Sequence, residues 1–136
     1  MLKGATGSFK VIESGHDVPV EQFLSNVFCE LPHVDNLFLF APTGETVFTS
    51  DEANRHADLP ALASSVWQCA QNAAGELKRG KLNYLALQTP CGFIVATRLQ
   101  PGHILILLGR VEVRLGLLLY EMETLARRLE LTLAAE

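Results

Sequence analysis

The stretch Asp58–Arg79, DLPALASSVWQCAQNAAGELKR, predicts one long amphipathic helix around which the rest of the chain is arranged. Asp58 is a candidate N-cap with Pro60 in the first turn, and Gly80 follows two basic residues at the other end, so both ends carry helix-boundary signals. Apolar residues recur inside the stretch at spacings of three and four, at Leu59, Leu62, Ala63, Val66, Ala70, Ala73, Ala74 and Leu77. This periodicity predicts that one face of the helix is buried.

A second apolar seam runs beside the first on the same helix. It consists of Pro60, Ala63, Trp67, Ala70 and Ala74, and Trp67 is its only large side chain. Alanines permit close approach of another element, because the distance between packed helices depends on the side chains at the contact. Two adjacent apolar faces predict two packing partners, the domain's own sheet and something outside it. A broad apolar face buried deep in a monomeric core is the alternative interpretation.

Composition and charge exclude several classes of protein. The chain has 136 residues, of which 49% are apolar and 19% charged, and this balance fits one ordinary globular domain. Its formal charge of −4 lacks the basic excess that phosphate contacts need, so we expect no nucleic-acid partner. No apolar run approaches the roughly 20 residues that span a bilayer, and the N-terminus lacks a signal pattern. We therefore expect a soluble, cytoplasmic protein with no membrane span.

Five strands are predicted, and two of them are apolar at every position. Leu37–Ala41 and Ile104–Leu108 have the pattern of strands that are covered on both faces, so we place them side by side in the centre of an antiparallel sheet. The other three strands, separated by turn signals, are Thr46–Thr49, Leu82–Gln88 and Phe93–Leu99. Thr46–Thr49 and Leu82–Gln88 are expected at the two edges.

Two further helices, Val18–Glu30 and Val111–Leu133, complete a layered α+β domain with helices on both faces of the sheet. Residues 1–17 carry scattered glycines and serines without a sustained period, which predicts a loose or adaptable N-terminal arm. A short apolar phase at Phe9, Val11 and Ile12 could add an edge strand. Residues 18–136 form the single domain in this interpretation.

Residues able to carry chemistry are scattered along the chain. The four histidines fall in different predicted segments, the three cysteines have no paired spacing, and no Cys-x-x-Cys or His-x-x-x-His motif occurs. We therefore expect no metal, no cofactor and no enzyme activity. Cys91 and His103 at neighbouring hairpin tips are the one nucleophile–base alternative. Asp51, Glu52 and Asp58 are interpreted as a solvated acidic group.

The order of the elements, the hairpin around Ala41–Val47, the alanine-rich long helix and the three-stranded run ending in Ile104–Gly109 resemble the roadblock / dynein light-chain superfamily, roughly over Val20–Leu133. The resemblance implies a profilin-like layered fold, a five-stranded antiparallel sheet with the long helix on one face and the other two helices on the opposite face. It also implies homodimers that pair their third-strand edges and set the two long helices antiparallel. On this chain the implied dimer interface contains Ala63, Trp67, Ala70, Ala74, Leu82, Tyr84 and Ala86.

Bacterial proteins of this superfamily commonly act on Ras-like small GTPases, and others attach to dynein or to endosomal signalling complexes. The resemblance thus implies a non-enzymatic regulator or scaffold whose paired long helices bind a small GTPase, with Gln68, Gln71 and Asn72 as candidate partner-binding residues. It supplies no catalytic residue, although an arginine donated to the GTPase, Arg55 or Arg79, is one route to activation. A small-ligand sensory domain and a structural subunit of a larger assembly remain alternatives, and a heterodimer remains open beside the homodimer.

Overall fold

The structure, a computed structural model, describes residues 10–13, 16–51, 58–100 and 102–135. Its elements are, in chain order, β1 Lys10–Glu13, β2 His16–Pro19, α1 Val20–Cys29, β3 Val34–Phe40, β4 Thr46–Thr49, α2 Leu59–Glu76, β5 Leu85–Thr89, β6 Gly92–Leu99, β7 His103–Gly109 and α3 Leu115–Ala135. β1 and β2 form a two-stranded antiparallel sheet. The other strands form the main sheet, which is antiparallel in the order β4-β3-β7-β6-β5. The predicted five-stranded α+β fold is therefore confirmed.

The two strands that contain the fully apolar runs, β3 and β7, lie next to each other in the centre of the main sheet, as predicted. β3 pairs with β7 from Phe40–Ile104 to Val34–Gly109, and β4 and β5 are the edges. Successive side chains of a strand point to opposite faces. Along Leu37–Phe40 and Ile104–Leu108 both faces are covered by helices, and this explains the unbroken apolar runs. The polar residues of β3, Asp35 and Asn36, lie at its start, where Asp35 is exposed and Asn36 half-buried.

The main sheet separates two hydrophobic clusters. The larger one lies between the sheet and helices α1 and α3, and it includes Phe23 of α1, Leu118 of α3, and Leu39 and Leu107 of the sheet. The smaller cluster lies under α2 and contains Phe38, Phe40, Ala96, Ile104 and Ile106, with Leu59 and Ala63 of α2 packed against it. One long helix on one face and two helices on the other is the arrangement that was predicted. No helix in the described part of the chain is both long and apolar enough to cross a membrane.

The first helix begins two residues later than predicted. Val18 and Pro19 belong to β2, and Val20 is the first helical residue. Val11 of β1 is buried in the larger cluster. A strand thus forms around Val11, but it pairs with β2 and does not extend the main sheet. Residues 1–9 lie outside the described residues, and the domain division at residue 17 stays a prediction.

The third strand of the main sheet, predicted at Leu82–Gln88, begins only at Leu85. Two side chains from other elements hold the preceding residues in a different path. The backbone N–H of Leu82 donates to Oε1 of Gln71 at 2.9 Å, and Oγ1 of Thr97 donates to the carbonyl oxygen of Asn83 at 2.9 Å. Backbone groups that are satisfied by side chains do not need a strand partner.

The end of α2 has an unexpected residue in the left-handed conformation. The predicted stop signal was Gly80, but the helix ends at Glu76 and Lys78 has a φ of 56°. The N–H of Arg79 donates to the carbonyl of Ala74 at 2.9 Å, and the N–H of Lys78 donates to the carbonyl of Gly75 at 3.0 Å. These are the paired bonds of a Schellman motif, in which glycine is the usual left-handed residue. At the other end Asp58 occupies the N-cap position, but its carboxylate makes no capping bond.

Candidate protein interface

Most of the large residues of the wider apolar stripe of α2 point to solvent, whereas the seam through Trp67 faces the sheet. Leu62, Val66 and Leu77 are 59%, 44% and 70% exposed, and Trp67 is only 6% exposed. The expectation that the wider stripe is buried is therefore wrong for these three of its four large residues, while the fourth, Leu59, packs against the sheet. The helix is rotated so that its largest apolar side chain is covered. The small alanines of the same seam then allow close approach to the sheet.

An apolar groove of about 310 Å³ runs between the exposed stripe of α2 and the edge strand β5. We call it the α2–β5 groove. All its lining residues are apolar: Leu59, Leu62, Ala63 and Val66 from the helix, and Phe38, Leu85, Leu87, Ile94, Ala96, Ile106 and Leu108 from the sheet. A contiguous apolar surface of this kind on a globular domain marks a binding site more often than a scattered exposed leucine does.

The strand that borders the groove has an open edge. β5 pairs with β6, from Leu85–Ala96 to Thr89–Gly92, and no described strand lies on its other side. Such an edge presents a row of backbone N–H and C=O groups to which another strand can add. Leu87 in β5 and Tyr84 just before it are both close to half exposed. Apolar side chains and free backbone groups therefore lie together on one side of the molecule.

The residues expected at a dimer interface divide into two groups. Ala63, Ala70 and Ala74 are half-buried and Trp67 is buried, all on the sheet side of α2, and Leu82 is also half-buried. Tyr84 and Ala86 are exposed beside and within β5. A dimer role for these seven residues stays a prediction.

The geometry adds Leu62, Val66 and Leu87 to the candidate surface, and sequence reasoning had not assigned them to an interface. A signal for two of them was present in the sequence. Leu62, Val66, Cys69 and Ala73 follow each other at spacings of four, three and four, the 3.5-residue period of a helix–helix seam.

The three candidate partner-binding residues also have different environments. Gln68 and Asn72 are exposed on α2, where Nε2 of Gln68 donates to Oδ1 of Asn72 at 3.0 Å. Gln71 is half-buried, and its Oε1 holds the backbone of Leu82. Gln71 therefore has a role within the fold, while Gln68 and Asn72 lie on a surface that a partner can reach.

The nucleophile–base alternative is wrong. Cys91 directly precedes Gly92 at the start of β6, and His103 pairs with Leu99 at its end. At about 3.3 Å per residue, β6 separates the two side chains by roughly 23 Å. Burial lowers the pKa of His103 from its usual 6.5, so this histidine is neutral over a wide pH range.

Other residues considered for chemistry do not assemble into a site. Cys29, Cys69 and Cys91 are exposed free thiols. Within residues 10–13, 16–51, 58–100 and 102–135, no three His, Cys, Asp or Glu residues lie close enough to hold a metal ion. Arg79 is exposed, and Asp51 and Asp58 lie at the two ends of a stretch that is not described. That stretch contains Glu52, Arg55 and His56, which are outside the described residues.

Comparison with known proteins finds the fold in solved structures but no match by sequence to a family model or to a curated protein. A roadblock/LC7 domain from Streptomyces avermitilis is 19% identical with a TM-score of 0.69, and the alignment covers 84% of this chain and 97% of that one. The gliding protein MglB from Thermus thermophilus is 13% identical with a TM-score of 0.70, covering 96% and 98%. An MglB with a tetrameric arrangement is 15% identical with a TM-score of 0.67, covering 91% and 93%. The chain therefore has the roadblock fold, as the resemblance implied.

Proposed function

We propose that this roadblock-fold chain is a non-enzymatic regulator or scaffold, which forms a homodimer and binds a Ras-like small GTPase through its paired α2 helices. The observation that carries the proposal is the α2–β5 groove, an apolar surface beside an open strand edge. The structural neighbours add support, because one of them is a gliding protein and another has a tetrameric arrangement. The GTPase partner comes from the superfamily resemblance.

A second copy of the chain fits this surface well. Antiparallel pairing of two β5 edges continues the main sheet and satisfies the open backbone groups. A twofold axis brings each patch against the same patch of the other copy. The seam of Leu62, Val66, Cys69 and Ala73 then meets its own copy, and the small Cys69 and Ala73 let the two helices approach closely. The α2–β5 groove is closed by this arrangement.

The apolar side chains supply a useful part of the association energy. Fully burying one Leu or Val side chain stabilises by about 1.5–3 kcal/mol. Leu62, Val66 and Leu87 are 59%, 44% and 46% exposed. Scaled by these fractions, they contribute about 2–4.5 kcal/mol per protomer and twice that per dimer. Association costs about 4–15 kcal/mol in lost freedom, so the β5 pairing is needed as well as the groove.

The proposed dimer presents two α2 helices side by side, with the exposed Gln68 and Asn72 of each copy available to a partner. A regulator that has no chemistry of its own acts by binding one state of its partner more tightly than the other. For a small GTPase, the two states are the GDP-bound and GTP-bound forms. A protein that binds both forms equally well is a scaffold and shifts neither population.

Light scattering on the purified protein tests the dimer directly. A mass near twice 14.9 kDa is expected for the chain. Small GTPases loaded with GDP or with a non-hydrolysable GTP analogue are then titrated with the protein, and binding to at least one of them is expected. A strict monomer contradicts the homodimer, and a dimer that binds neither nucleotide form of a broad GTPase set contradicts the partner assignment.

The same groove favours one other function, that of a small-ligand sensor. Its volume of about 310 Å³ is at the lower end of the range of about 300–1,000 Å³ for ligand pockets. An entirely apolar lining suits a hydrophobic ligand. If the protein is monomeric and binds an apolar fluorescent dye, and Val66→Glu abolishes the dye signal, the sensor replaces the dimer as the function of this surface.

A further inference from the structure

The turn that follows α2 is exposed at every position and carries three cations. Residues 75–81 read Gly-Glu-Leu-Lys-Arg-Gly-Lys, and each of them is exposed. A run of consecutive exposed residues forms a projecting edge of the molecule and not the floor of a cleft. We call the part Leu77–Lys81 the basic turn.

The backbone of the basic turn holds a lysine where glycine fits best. Lys78 has a φ of 56°, and among the described residues it is the only one other than glycine with a positive φ. Such a φ strains a residue that has a Cβ, and glycine is the usual residue at this place in a Schellman motif. Cations beside a helix C-terminus complement the helix dipole, but Arg79 supplies that charge without the strain. Backbone strain concentrates where a side chain has a function, so the Lys78 side chain is a candidate for an external contact.

The cations of the basic turn are not neutralised within the part of the chain that the structure describes. Lys78, Arg79 and Lys81 form no ion pair with any residue described there. Glu76 directly precedes the turn, and the sequence Leu77–Val111 then contains no Asp or Glu. Three cations against one carboxylate leave a charge of +2. Two carboxylates of α3 share a groove with Lys81, but with neither of the other two cations.

A large apolar side chain lies at the start of the basic turn. Leu77 is 70% exposed, the highest value for a large apolar residue in the described ranges. Residues 75–81 include no Ser, Thr, Asn or Gln, so the turn combines cations with an apolar side chain and lacks neutral polar side chains. Protein partners are matched by direct hydrogen bonds across an interface. An anionic lipid surface attracts Lys and Arg and takes up apolar side chains without such matching, so the composition of the turn favours lipid.

We propose that the basic turn binds the surface of membranes that contain anionic lipids. Lys78, Arg79 and Lys81 lie among the charged headgroups, and Leu77 enters the boundary between headgroups and acyl chains. The net charge of −4 on the whole chain does not prevent this, because salt screens exposed charges beyond about 8 Å at physiological ionic strength. The site uses no residue that lines the α2–β5 groove, so it does not depend on the proposed homodimer.

Sedimentation of the full chain with lipid vesicles tests this site. The probe is a phosphatidylcholine vesicle with about one phosphatidylserine in three lipids, and pure phosphatidylcholine vesicles are the charge control. Three cations and one inserted leucine predict that about half of the protein sediments at roughly millimolar lipid. Binding to the neutral vesicles should be at least about tenfold weaker. Raising the salt to about 1 M, where screening acts within about 3 Å, should release most of the bound protein.

Two pairs of measurements separate the basic turn from the charge of the rest of the chain. Arg79→Gln should weaken binding to the anionic vesicles about fivefold, the effect of one cation near an anionic surface. Arg114→Gln is the matched control, because Arg114 is also exposed and lies just before α3, and its binding should stay within about twofold of the wild type. Lys78→Gly should bind about fivefold more weakly although its thermal midpoint rises. A lysine that serves only the fold would not separate these two readouts.

Leu77→Ala distinguishes a lipid surface from an acidic protein surface. It should bind anionic vesicles at least about fivefold more weakly, because less apolar surface enters the lipid. Its binding to soluble polyglutamate, which has charge but no apolar interior, should equal that of the wild type. Leu77 follows Ala73 of the α2 seam by four positions, so vesicle binding is compared at concentrations where the variant and the wild type have the same mass.

Several results would overturn the proposal. They are equal binding to neutral and anionic vesicles, an equal loss in Arg79→Gln and Arg114→Gln, and absence of sedimentation at about ten times the expected lipid concentration. Wild-type binding of Leu77→Ala to the anionic vesicles also overturns it, and an acidic protein surface then replaces the membrane. None of these results bears on the homodimer, which is measured separately by mass.

Discussion

Replacing Val66 with glutamate tests the proposed dimer at the centre of the exposed α2 seam. Val66 is 44% exposed in the single chain and lines the α2–β5 groove. A glutamate at this position can reach water in the isolated protomer, so we expect its free energy of unfolding to change by about 0.5 kcal/mol or less. In the proposed dimer the same side chain lies in a closed apolar groove, where a carboxylate loses its hydration.

The expected loss of dimer stability follows from the exposed fraction of Val66. Losing the burial of 44% of a valine side chain costs about 0.7–1.3 kcal/mol per copy. The twofold axis doubles that cost, and leaving each buried polar group unsatisfied adds about 1–3 kcal/mol. The dimer is therefore destabilised by at least about 3 kcal/mol, which raises its Kd about a hundredfold or more.

Sedimentation velocity over a range of protein concentrations measures this Kd. The matched control is Leu117→Glu, since Leu117 is 45% exposed and lies on α3, across the sheet from α2. We expect Leu117→Glu to associate like the wild type at concentrations where Val66→Glu is monomeric, with both variants folded by circular dichroism. A folded Val66→Glu that associates with the wild-type Kd would refute the reasoning, and so would equal dissociation by the control.

Four other predictions concern the protein's own stability. Trp67→Ala should lower the free energy of unfolding by about 3–5 kcal/mol in urea titration, because Trp67 is buried within the chain. An unchanged midpoint would mean that Trp67 contributes to an external interface, as the sequence predicted, and not to the core. Lys78→Gly should raise the thermal midpoint and add roughly 0.5–1 kcal/mol to the free energy of unfolding. A left-handed φ costs a non-glycine residue about 1–2 kcal/mol, and the greater chain entropy of unfolded glycine offsets part of that gain. An unchanged or lower midpoint would contradict the strain at Lys78. The free energy of unfolding should fall as pH drops below 6.5 towards the lowered folded-state pKa of His103, because the unfolded state protonates this histidine first. His103→Gln should reduce this pH dependence in unfolding titrations. Ile106→Asp should abolish cooperative folding by circular dichroism, since Ile106 is buried under α2 in a central strand.

The central strands were predictable because their pattern depends on burial alone. A strand covered on both faces has no place for a polar side chain, so Leu37–Ala41 and Ile104–Leu108 could be placed side by side without knowledge of any contact. The layer arrangement then followed from the order of the elements. The structure agrees at both points.

The rotation of α2 was not predictable from periodicity. Two adjacent apolar stripes fit the same helix, and a count of apolar residues favours the wider one, with Leu62 and Val66. The structure instead buries Trp67, and this choice depends on how α2 packs against the sheet, which no local pattern reports. Periodicity gives the existence of apolar faces, whereas tertiary packing decides which of them is turned inward.

The start of β5 was misplaced for a related reason. The alternating pattern of Leu82, Tyr84 and Ala86 continues a strand without interruption in sequence. The strand nevertheless begins at Leu85, because a glutamine eleven positions earlier holds the backbone of Leu82. Both side-chain contacts that set this boundary come from other elements. The sequence around Leu82 therefore carries no signal for this boundary.

The candidate interface lies at the β5 end of the main sheet because the helices cover the sheet unequally. α1 packs near β3 and β4, and α3 packs over β6 and β7. On the other face, α2 packs over β7 and leaves the groove towards β5 open. The α2–β5 groove is wholly apolar. Long-lived interfaces are the more apolar class, and transient ones retain more polar and charged groups. The α2–β5 groove is therefore suited to a permanent second copy of the chain, and this is the interaction that Val66→Glu should remove.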